Sequence, residues 1–381
     1  LVGIAGSNNA FSLSLYNLKA YAYQNLTIRD RCDIDVIQHP LINPGQSINK
    51  RILSDLSEKI ISKRPYLIGF SCYMWNLDSF LKIAAIIKKK LPDVRILLGG
   101  PEIATEYVQS SYFDKYPIDY CVSGEGEQTF LELLLNLENN NPAVNDIHGL
   151  SYRANKNSEF IVNAKREPFK SLSEIPSPYL SGIVDEEVLG RYGVEANLET
   201  QRGCNLRCSY CIYHKDMDKV SYSEVKRVID EVRHVTKRGV KKIRFVDANF
   251  SSDKDHAKAV MKGLINENFR TGLFFELIPG FLDEELADLF GQYRNLHKDN
   301  EITIGVGVQT INLDVLKLIR RKIKKEKFEM TFKLLQKHDI YTKIDLIIGL
   351  PSEDISSIER TIEYMVDQLR ESRAHLLCCH V

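Results

Sequence analysis

Short apolar runs alternate with longer segments of helical period from the first residue onward. Leu1–Ala5 precedes Leu13–Tyr23, and Ile34–Ile37 precedes Ile48–Lys63. The pairing continues with Leu67–Cys72 and Leu77–Leu91, Arg95–Gly99 and Ile103–Val108, then Tyr120–Val122 and Gln128–Leu137. A short apolar run bounded by turn residues predicts a strand, and apolar positions three and four apart predict a helix. Strands and helices in strict turn imply a parallel sheet wrapped by helices. Residues 1–140 are therefore expected to form a doubly wound, Rossmann-like α/β domain.

Residues 141–193 break the pattern. They hold two short strand-like pieces, Gly149–Arg153 and Phe160–Asn163, followed by Pro168, Pro176 and Pro178 with Ser and Glu between them, which is linker composition. From Val194 the alternation resumes: Val194–Thr200, Ser221–Lys237, Lys242–Asp247, Lys254–Asn268, Leu273–Leu277 and Asp283–Tyr293. It runs on through Ile302–Gln309, Leu313–Ile319, Glu326–His338, Thr342–Ile348, Ser356–Arg370 and Ala374–Cys378. Six strand–helix units in one direction predict a partial (β/α)6 barrel of TIM type over residues 194–381, with its chemistry at the carboxyl ends of the strands. Leu1 opens inside an apparent strand without a methionine and Val381 stops inside the sixth barrel strand, as expected of a piece of a longer chain.

Composition adds compartment and partners. A chain of 381 residues with 44% hydrophobic and 27% charged positions can bury two cores. Lys plus Arg equals Asp plus Glu at 51 each, so no global field draws the chain to nucleic acid or to a membrane surface, and only local patches remain open. No run of eighteen apolar residues occurs and Leu1–Ala5 is too short for a signal segment, so a cytoplasmic protein is expected. Of the eight cysteines, Cys72 and Cys121 lie in apolar strand contexts that suit buried free thiols in a reducing compartment.

Three of the others fall together. Thr200-Gln201-Arg202-Gly203-Cys204-Asn205-Leu206-Arg207-Cys208-Ser209-Tyr210-Cys211 gathers three thiols directly after the first barrel strand. Thiolates are soft ligands for iron–sulfur clusters and for zinc, and a short loop closes around one metal centre at little entropic cost. Three ligands leave one metal corner of a cluster free; completed by His214, the same loop suits a structural Cys3His zinc site. Later barrel strands end in Asp247, Glu276, Gln309 and Asp345, and recurrence of polar groups at strand ends points to a shared pocket. At the corresponding rim of the first domain the loops read Gly6-Ser7-Asn8-Asn9, Ser71–Asn76, Gly99–Glu102 and Ser123–Glu127. Glycines admit a large ligand close to the backbone, while hydroxyls and amides supply hydrogen bonds. Gly99-Gly100-Pro101 alone reads equally as a tight turn. Trp75, the single tryptophan, is either a ring facing that ligand or a core aromatic.

The spacing of Cys204, Cys208 and Cys211, with Tyr210 before the last, resembles the radical S-adenosylmethionine (SAM) superfamily signature C-x3-C-x2-C. The resemblance implies a 4Fe-4S cluster whose open iron takes the amino and carboxylate groups of SAM, and one-electron cleavage to a 5′-deoxyadenosyl radical. Gly-Val-Gln-Thr at 307–310, Arg321 twelve residues after Gln309, and Asp-Leu-Ile-Ile-Gly-Leu-Pro at 345–351 resemble the branch that includes coproporphyrinogen dehydrogenase. That likeness implies SAM contacts from Tyr210, Asp247, Glu276, Gln309, Arg321 and Asp345, with backbone at Ile348 offered to adenine. The superfamily's common Gly-Gly-Glu is replaced by Val246-Asp247-Ala248-Asn249. Residues 69–76, 99–102 and 124–127 look like the cobalamin-binding domain found ahead of many radical SAM domains. This implies cobalamin contacts from Ser7, Asn8, Ser71, Tyr73, Trp75, Gly99, Gly100, Pro101, Glu102, Ser123, Gly124 and Glu125. The Asp-x-His-x-x-Gly motif of methionine-synthase-type domains is missing, so no histidine is expected beneath cobalt and Trp75 is expected to cover that face.

The function so implied is a cobalamin-dependent radical SAM methyltransferase acting on an unactivated carbon of a small molecule or peptide, served by a reducing partner such as flavodoxin or ferredoxin. Three alternatives stand beside it. One is a cobalamin radical SAM enzyme that cyclises or rearranges without methyl transfer; another is a methylthiotransferase with a second cluster on Cys32, Cys72 and Cys121. The last is a non-catalytic zinc-binding module.

Overall fold

The computed structural model describes residues 1–5, 11–40, 50–155, 158–192, 195–213, 219–298, 300–321, 323–370 and 376–380. The chain divides into two compact units: residues 1–169, 174–192 and 215–218 form the first, and residues 170–173, 193–214 and 219–381 the second.

The first unit is built on a seven-stranded sheet of β1 (Val2–Ala5), β2 (Ile37–Pro40), β3 (Leu67–Ser71), β4 (Arg95–Gly99), β5 (Tyr120–Val122), β6 (Leu150–Arg153) and β7 (Phe160–Val162), in the order β2-β1-β3-β4-β5-β6-β7. Strands β1 to β5 are parallel. Alternate residues of β4 go to opposite faces: Ile96 and Leu98 join one buried cluster with Phe80, Leu81 and Ile87 of helix Leu77–Lys90, while Leu97 joins another with Phe130, Leu133 and Leu134 of helix Glu127–Asn139. Burial on both faces explains why these strands read as unbroken apolar runs. Chain direction across the sheet reverses between β1 and β3, so their carboxyl ends form the switch point at which such sheets receive ligands. The two strand-like pieces expected within the connection extend this sheet antiparallel, β6 pairing with β5, Cys121 opposite Ser151, and β7 pairing with β6. They cover the edge that β5 would otherwise leave open.

The second unit is a partial (β/α)6 barrel. Strands β8 (Glu195–Leu198), β11 (Lys242–Phe245), β12 (Gly272–Leu277), β13 (Ile302–Gln309), β14 (Tyr341–Ile347) and β15 (Leu376–His380) lie side by side in chain order, every pair parallel. Between the first two, β9 (Gln201–Arg202) and β10 (Ser221–Tyr222) form a two-stranded antiparallel ribbon that closes the base of the cysteine loop. Phe245, Phe250 and Phe275 stack in the core, with Phe250 and Phe275 rings 4.2 Å apart. The other side of the same strands is polar. Arg244 lies over the Phe274 ring and pairs with Glu195 at 2.7 Å, and Glu276, Lys343 and Asp345 follow at the alternate positions. Barrel interiors are ordinarily filled by branched apolar side chains, so a charged inner face marks this one as built to hold something.

Candidate functional site

The cysteine loop leaves β9 through Gly203, whose φ of +96° lies in the left-handed region. A side chain there would stand 2.5 Å from the Lys219 carbonyl, so only glycine allows the ribbon to close beneath the thiols. Cys204, Cys208 and Cys211 are free thiols, Cys208 buried and the others half-buried. Burial pushes the Cys204 and Cys211 thiols up, while N–H groups of Leu206 and Tyr213 donate to the two sulfurs and pull the other way. Three thiols, two of them with amide donors aimed at the sulfur, are the donor set of an iron–sulfur site. Among the described residues no three His, Cys, Asp or Glu side chains converge on one ion position. His214, the fourth ligand of the zinc alternative, lies outside the described residues.

Asp247 takes a different place from the one expected. It is 1% exposed, and instead of opening onto the mouth it accepts from Thr200 N–H at 2.8 Å, Thr200 Oγ1 at 2.6 Å and Gln201 N–H at 3.0 Å. Burial pushes its carboxyl up to about 7, with the Thr200 and Gln201 donors opposing. Gln201 then reaches across the base of the loop, donating to the Asn249 carbonyl at 2.7 Å and accepting from Ser252 Oγ at 2.5 Å. Asp247 thus anchors the strand-to-loop turn that presents the cysteines.

Tyr210, Arg321, Gln309 and Glu276 come together at the carboxyl ends of β12 and β13. Arg321 is 4% exposed; it donates to Tyr210 Oη at 2.9 Å and to the Gly307 carbonyl, and its Nε is buried without a partner among the described residues. Gln309 sits at a register shift of β13 with φ of +70°, a costly conformation for a non-glycine residue. Gly305 and Gly307 make the room: a side chain at 305 would collide with the Glu276 carboxylate, and one at 307 would stand 2.9 Å from Gln309 Nε2. Burial pushes Glu276 up to about 7, Asp345 adding to the rise while Lys343, Arg244 and His380 oppose it. Asp345 is flanked by Lys343 Nζ at 2.8 Å and His380 Nε2 at 2.9 Å. The N–H of Ile348 is taken by the His380 carbonyl at 2.7 Å, so only its own carbonyl could face adenine. An orphaned guanidinium nitrogen, paired carboxyls and glycine-made space fit a ligand that carries a carboxylate, an ammonium and a diol, as SAM does.

In the first unit, Gly100 has φ of +101°, and a side chain there would meet the Cys72 backbone at 2.6 Å. Buried Asn76 accepts from Tyr73 N–H at 2.8 Å and donates to the Ser71 carbonyl at 3.1 Å, which folds the loop after β3 outward. Tyr73 and Trp75 stack with ring centroids 4.5 Å apart, and Trp75 is 48% exposed, which removes the core-aromatic alternative. Ser123 Oγ is buried without a partner among the described residues, and Gly124 follows with φ of +78°. An orphaned hydroxyl, an exposed flat aromatic pair and open backbone fit a large planar, hydrogen-bonding ligand such as cobalamin. Glu125 departs from the expectation: buried, it turns inward and accepts from Phe169 N–H at 2.6 Å. Pro101 and Glu102 stay on the rim beside Gly99, and Ser7 and Asn8 lie outside the described residues. The second cluster imagined on Cys32, Cys72 and Cys121 does not assemble. Cys72 and Cys121 are wholly buried in the core, while Cys32 lies beside Glu138.

Two family profiles match the chain, the radical SAM superfamily over residues 198–365 and the B12 binding domain over residues 29–134. The chain carries a B12-binding domain followed by a radical SAM domain. It is 29% identical over 366 residues to the cobalamin-dependent radical SAM methyltransferase TokK of Streptomyces tokunonensis, covering 92% of this chain and 50% of TokK. It is 27% identical over 315 residues to 2-(S-pantetheinyl)-carbapenam-3-carboxylate methyltransferase of Streptantibioticus cattleyicolor, covering 80% of this chain and 45% of that protein. The chain thus spans about half the length of these curated relatives. Among solved structures, the radical SAM methyltransferase TsrM of Kitasatospora setae, with tryptophan and a SAM analogue, superposes with a TM-score of 0.73 at 18% identity, over 100% of this chain and 72% of TsrM. That likeness concerns the fold.

Within this radical SAM barrel, four contributors escaped the sequence reading: Gly203, Gln201, Lys343 and His380. Lys343 carries a legible signal, since it lies two residues before Asp345 in one strand and so faces the same way. His380 reaches Asp345 only through the pairing of β14 with β15, which no local pattern encodes. No helix among the described residues is long and apolar enough to cross a membrane.

Proposed function

We propose that this chain is the cofactor-bearing part of a cobalamin-dependent radical SAM enzyme that methylates an unactivated carbon of a small molecule or peptide. The observation that carries the reading is the pairing, in one chain, of a three-thiol loop on a partial barrel with a glycine-rich rim on a B12-type sheet. The methyltransferase names of its relatives support it.

When bound, the cluster with SAM supplies a 5′-deoxyadenosyl radical that takes a substrate hydrogen, and cobalamin supplies the methyl group. Cys204, Cys208 and Cys211 would hold the cluster. Arg321, steadied by Tyr210, presents Nε to the SAM carboxylate; Glu276 and Asp345 serve its ammonium and ribose, Gln309 the ribose, and the Ile348 carbonyl the adenine. Asp247 acts at one remove, holding the root of the loop. In the first unit Tyr73 and Trp75 would lie beneath the corrin and exclude water, while Ser71, Ser123 and the backbone of residues 99–102 and 124 bind its periphery. Electrons come from a reducing partner such as flavodoxin or ferredoxin, and the free thiols suit the cytoplasm.

Anaerobic reconstitution with iron, sulfide and hydroxocobalamin tests this. The expected product binds about four irons and stoichiometric corrin, and forms 5′-deoxyadenosine once SAM and reductant are added. Zinc in place of iron would overturn the reading. Turnover of an identified substrate without S-adenosylhomocysteine would favour cyclisation or rearrangement.

A further inference from the structure

Between Lys317 and Lys327 the chain carries seven lysines or arginines and one acid, Glu326, in a protein whose charges balance at 51 of each sign. Lys317, Arg320, Lys324, Lys325 and Lys327 are exposed. Of these, Lys325 has Glu329 at 3.8 Å, and the other four have no ion pair among the described residues. Some exposed lysines elsewhere on the unit are matched, as Lys226 is with Asp230 at 2.6 Å and Lys262 with Glu285 at 2.9 Å, and others such as Lys298 and Lys333 have no ion pair among the described residues but stand singly; at 317–327 the unmatched charges adjoin one another. An unmatched cluster of like charges repels itself and contributes nothing to folding.

This turn is built against the cysteine loop. The Ile319 carbonyl accepts from Ser209 N–H at 3.1 Å, and Arg321 donates to Tyr210 Oη; Ser209 and Tyr210 lie between Cys208 and Cys211. Adjacent arginines divide the work. Arg321 is buried toward the loop, while Arg320, at a left-handed φ of +59°, is turned to the surface. Amid the exposed cations sits Leu318, an aliphatic side chain 52% exposed.

We propose that this basic turn is the docking surface for the electron donor, an acidic one-electron carrier protein. The proposal rests on the function inferred above, because it is the cluster on Cys204, Cys208 and Cys211 that needs the electron. One electron leaves the reduced carrier, which is oxidised, and enters the cluster, which is reduced; no atom is transferred. A charge patch steers such a carrier to the side of the barrel where its electron is used, with association that weakens steeply in salt. An apolar centre within a charged rim is the anatomy of a small, transient redox interface. Sequence-specific RNA recognition would instead call for several exposed aromatic rings free to stack bases; here the exposed Tyr210 is tied through its hydroxyl to Arg321, and Leu318 is aliphatic.

The test uses the cluster-loaded chain with an oxidised acidic flavodoxin as probe, measuring the dissociation constant at two salt concentrations and the rate of cluster reduction by the hydroquinone form. Lys317→Glu/Lys324→Glu is compared with Lys89→Glu/Lys90→Glu, an equal charge change on exposed lysines of helix Leu77–Lys90. The first pair is expected to weaken flavodoxin binding tenfold or more and to slow reduction by flavodoxin, with reduction by dithionite unchanged. The second pair is expected to bind like the parent. Equal affinity of both variants, or salt-insensitive binding, overturns the docking surface and leaves the proposed function standing. Preference of the turn for single-stranded RNA over flavodoxin overturns it too. A chain that loads no iron fails at the earlier step and is recognised by its metal content.

Discussion

Asp247 offers the sharpest perturbation, because a truncation and an isosteric substitution separate its hydrogen-bonding role from its charge. Asp247→Ala removes the acceptor of three donors: the Thr200 and Gln201 N–H groups and the Thr200 hydroxyl, on residues that are 0% exposed. Leaving a buried donor unmet costs about 1–3 kcal/mol, and the hydroxyl can turn elsewhere, so a loss of about 3–5 kcal/mol is expected. Asp247→Asn keeps the oxygen that receives both N–H groups, and its amide can donate to a Thr200 hydroxyl turned to accept. A change within about 1 kcal/mol is expected for it.

The charge shows in the pH dependence. Because burial pushes Asp247 up to about 7 from an ordinary 3.8, the folded chain binds more protons than the unfolded chain between those values. Stability therefore falls as pH rises through that window and levels off above it, with a slope of at most about 1.4 kcal/mol per pH unit. Asp247→Asn lacks this contribution, so the difference between parent and Asn variant should shift toward the Asn variant by on the order of 2 kcal/mol between pH 5 and 7. Glu276 is also held up near 7, but it is present in both proteins and cancels in the difference. Urea unfolding of the apoprotein at pH 5, 6, 7 and 8, with amide exchange at Thr200 and Gln201 as a local check, reads both effects. Iron content after reconstitution should collapse in the Ala variant and persist in the Asn variant. An Ala variant as stable and iron-replete as the parent, or an Asn variant with the parent's pH slope, would refute the reasoning.

Gly203→Ala places a side chain 2.5 Å from the Lys219 carbonyl at a φ of +96°; a cost of about 2–4 kcal/mol and a marked fall in iron bound per chain are expected, read by urea unfolding and iron assay. Arg321→Lys keeps the charge but loses the fork that spans Tyr210 and the Gly307 carbonyl, so SAM affinity measured by equilibrium dialysis should fall tenfold or more while iron content holds. Trp75→Ala removes a half-exposed ring stacked only at the surface; stability should change by less than about 1 kcal/mol, with corrin retention after gel filtration clearly reduced.

How far the sequence could reach follows from where each constraint is encoded. The doubly wound sheet and the barrel were legible because strands buried on both faces read as unbroken apolar runs between helix-period segments, as Ile68–Phe70 and Ile96–Leu98 do. Strands β6 and β7 were not legible as members of the first sheet. Three or four residues each, most of them only partly buried, give no period to read, and their place depends on an edge left open about thirty residues earlier. The ribbon of β9 and β10, two residues each, lies below any pattern threshold.

The site divides on the same principle. Three thiols that must close around one centre are compelled to be neighbours in sequence, so the cysteine loop announced itself. A buried carboxylate's occupation is not so constrained. Asp247 at a strand end looks alike whether it faces a ligand or, as here, two backbone amides 46 and 47 residues away. Glu125 errs the same way, reaching Phe169 from 44 residues off. The basic turn at 317–327 failed for a different reason: its charges are adjacent and countable, but the balanced total of 51 against 51 averages them away. Net charge bounds the far field of a molecule; docking responds to charge within a Debye length, about 10 Å at 0.1 M salt, and so a local excess can direct a partner that the whole chain does not attract.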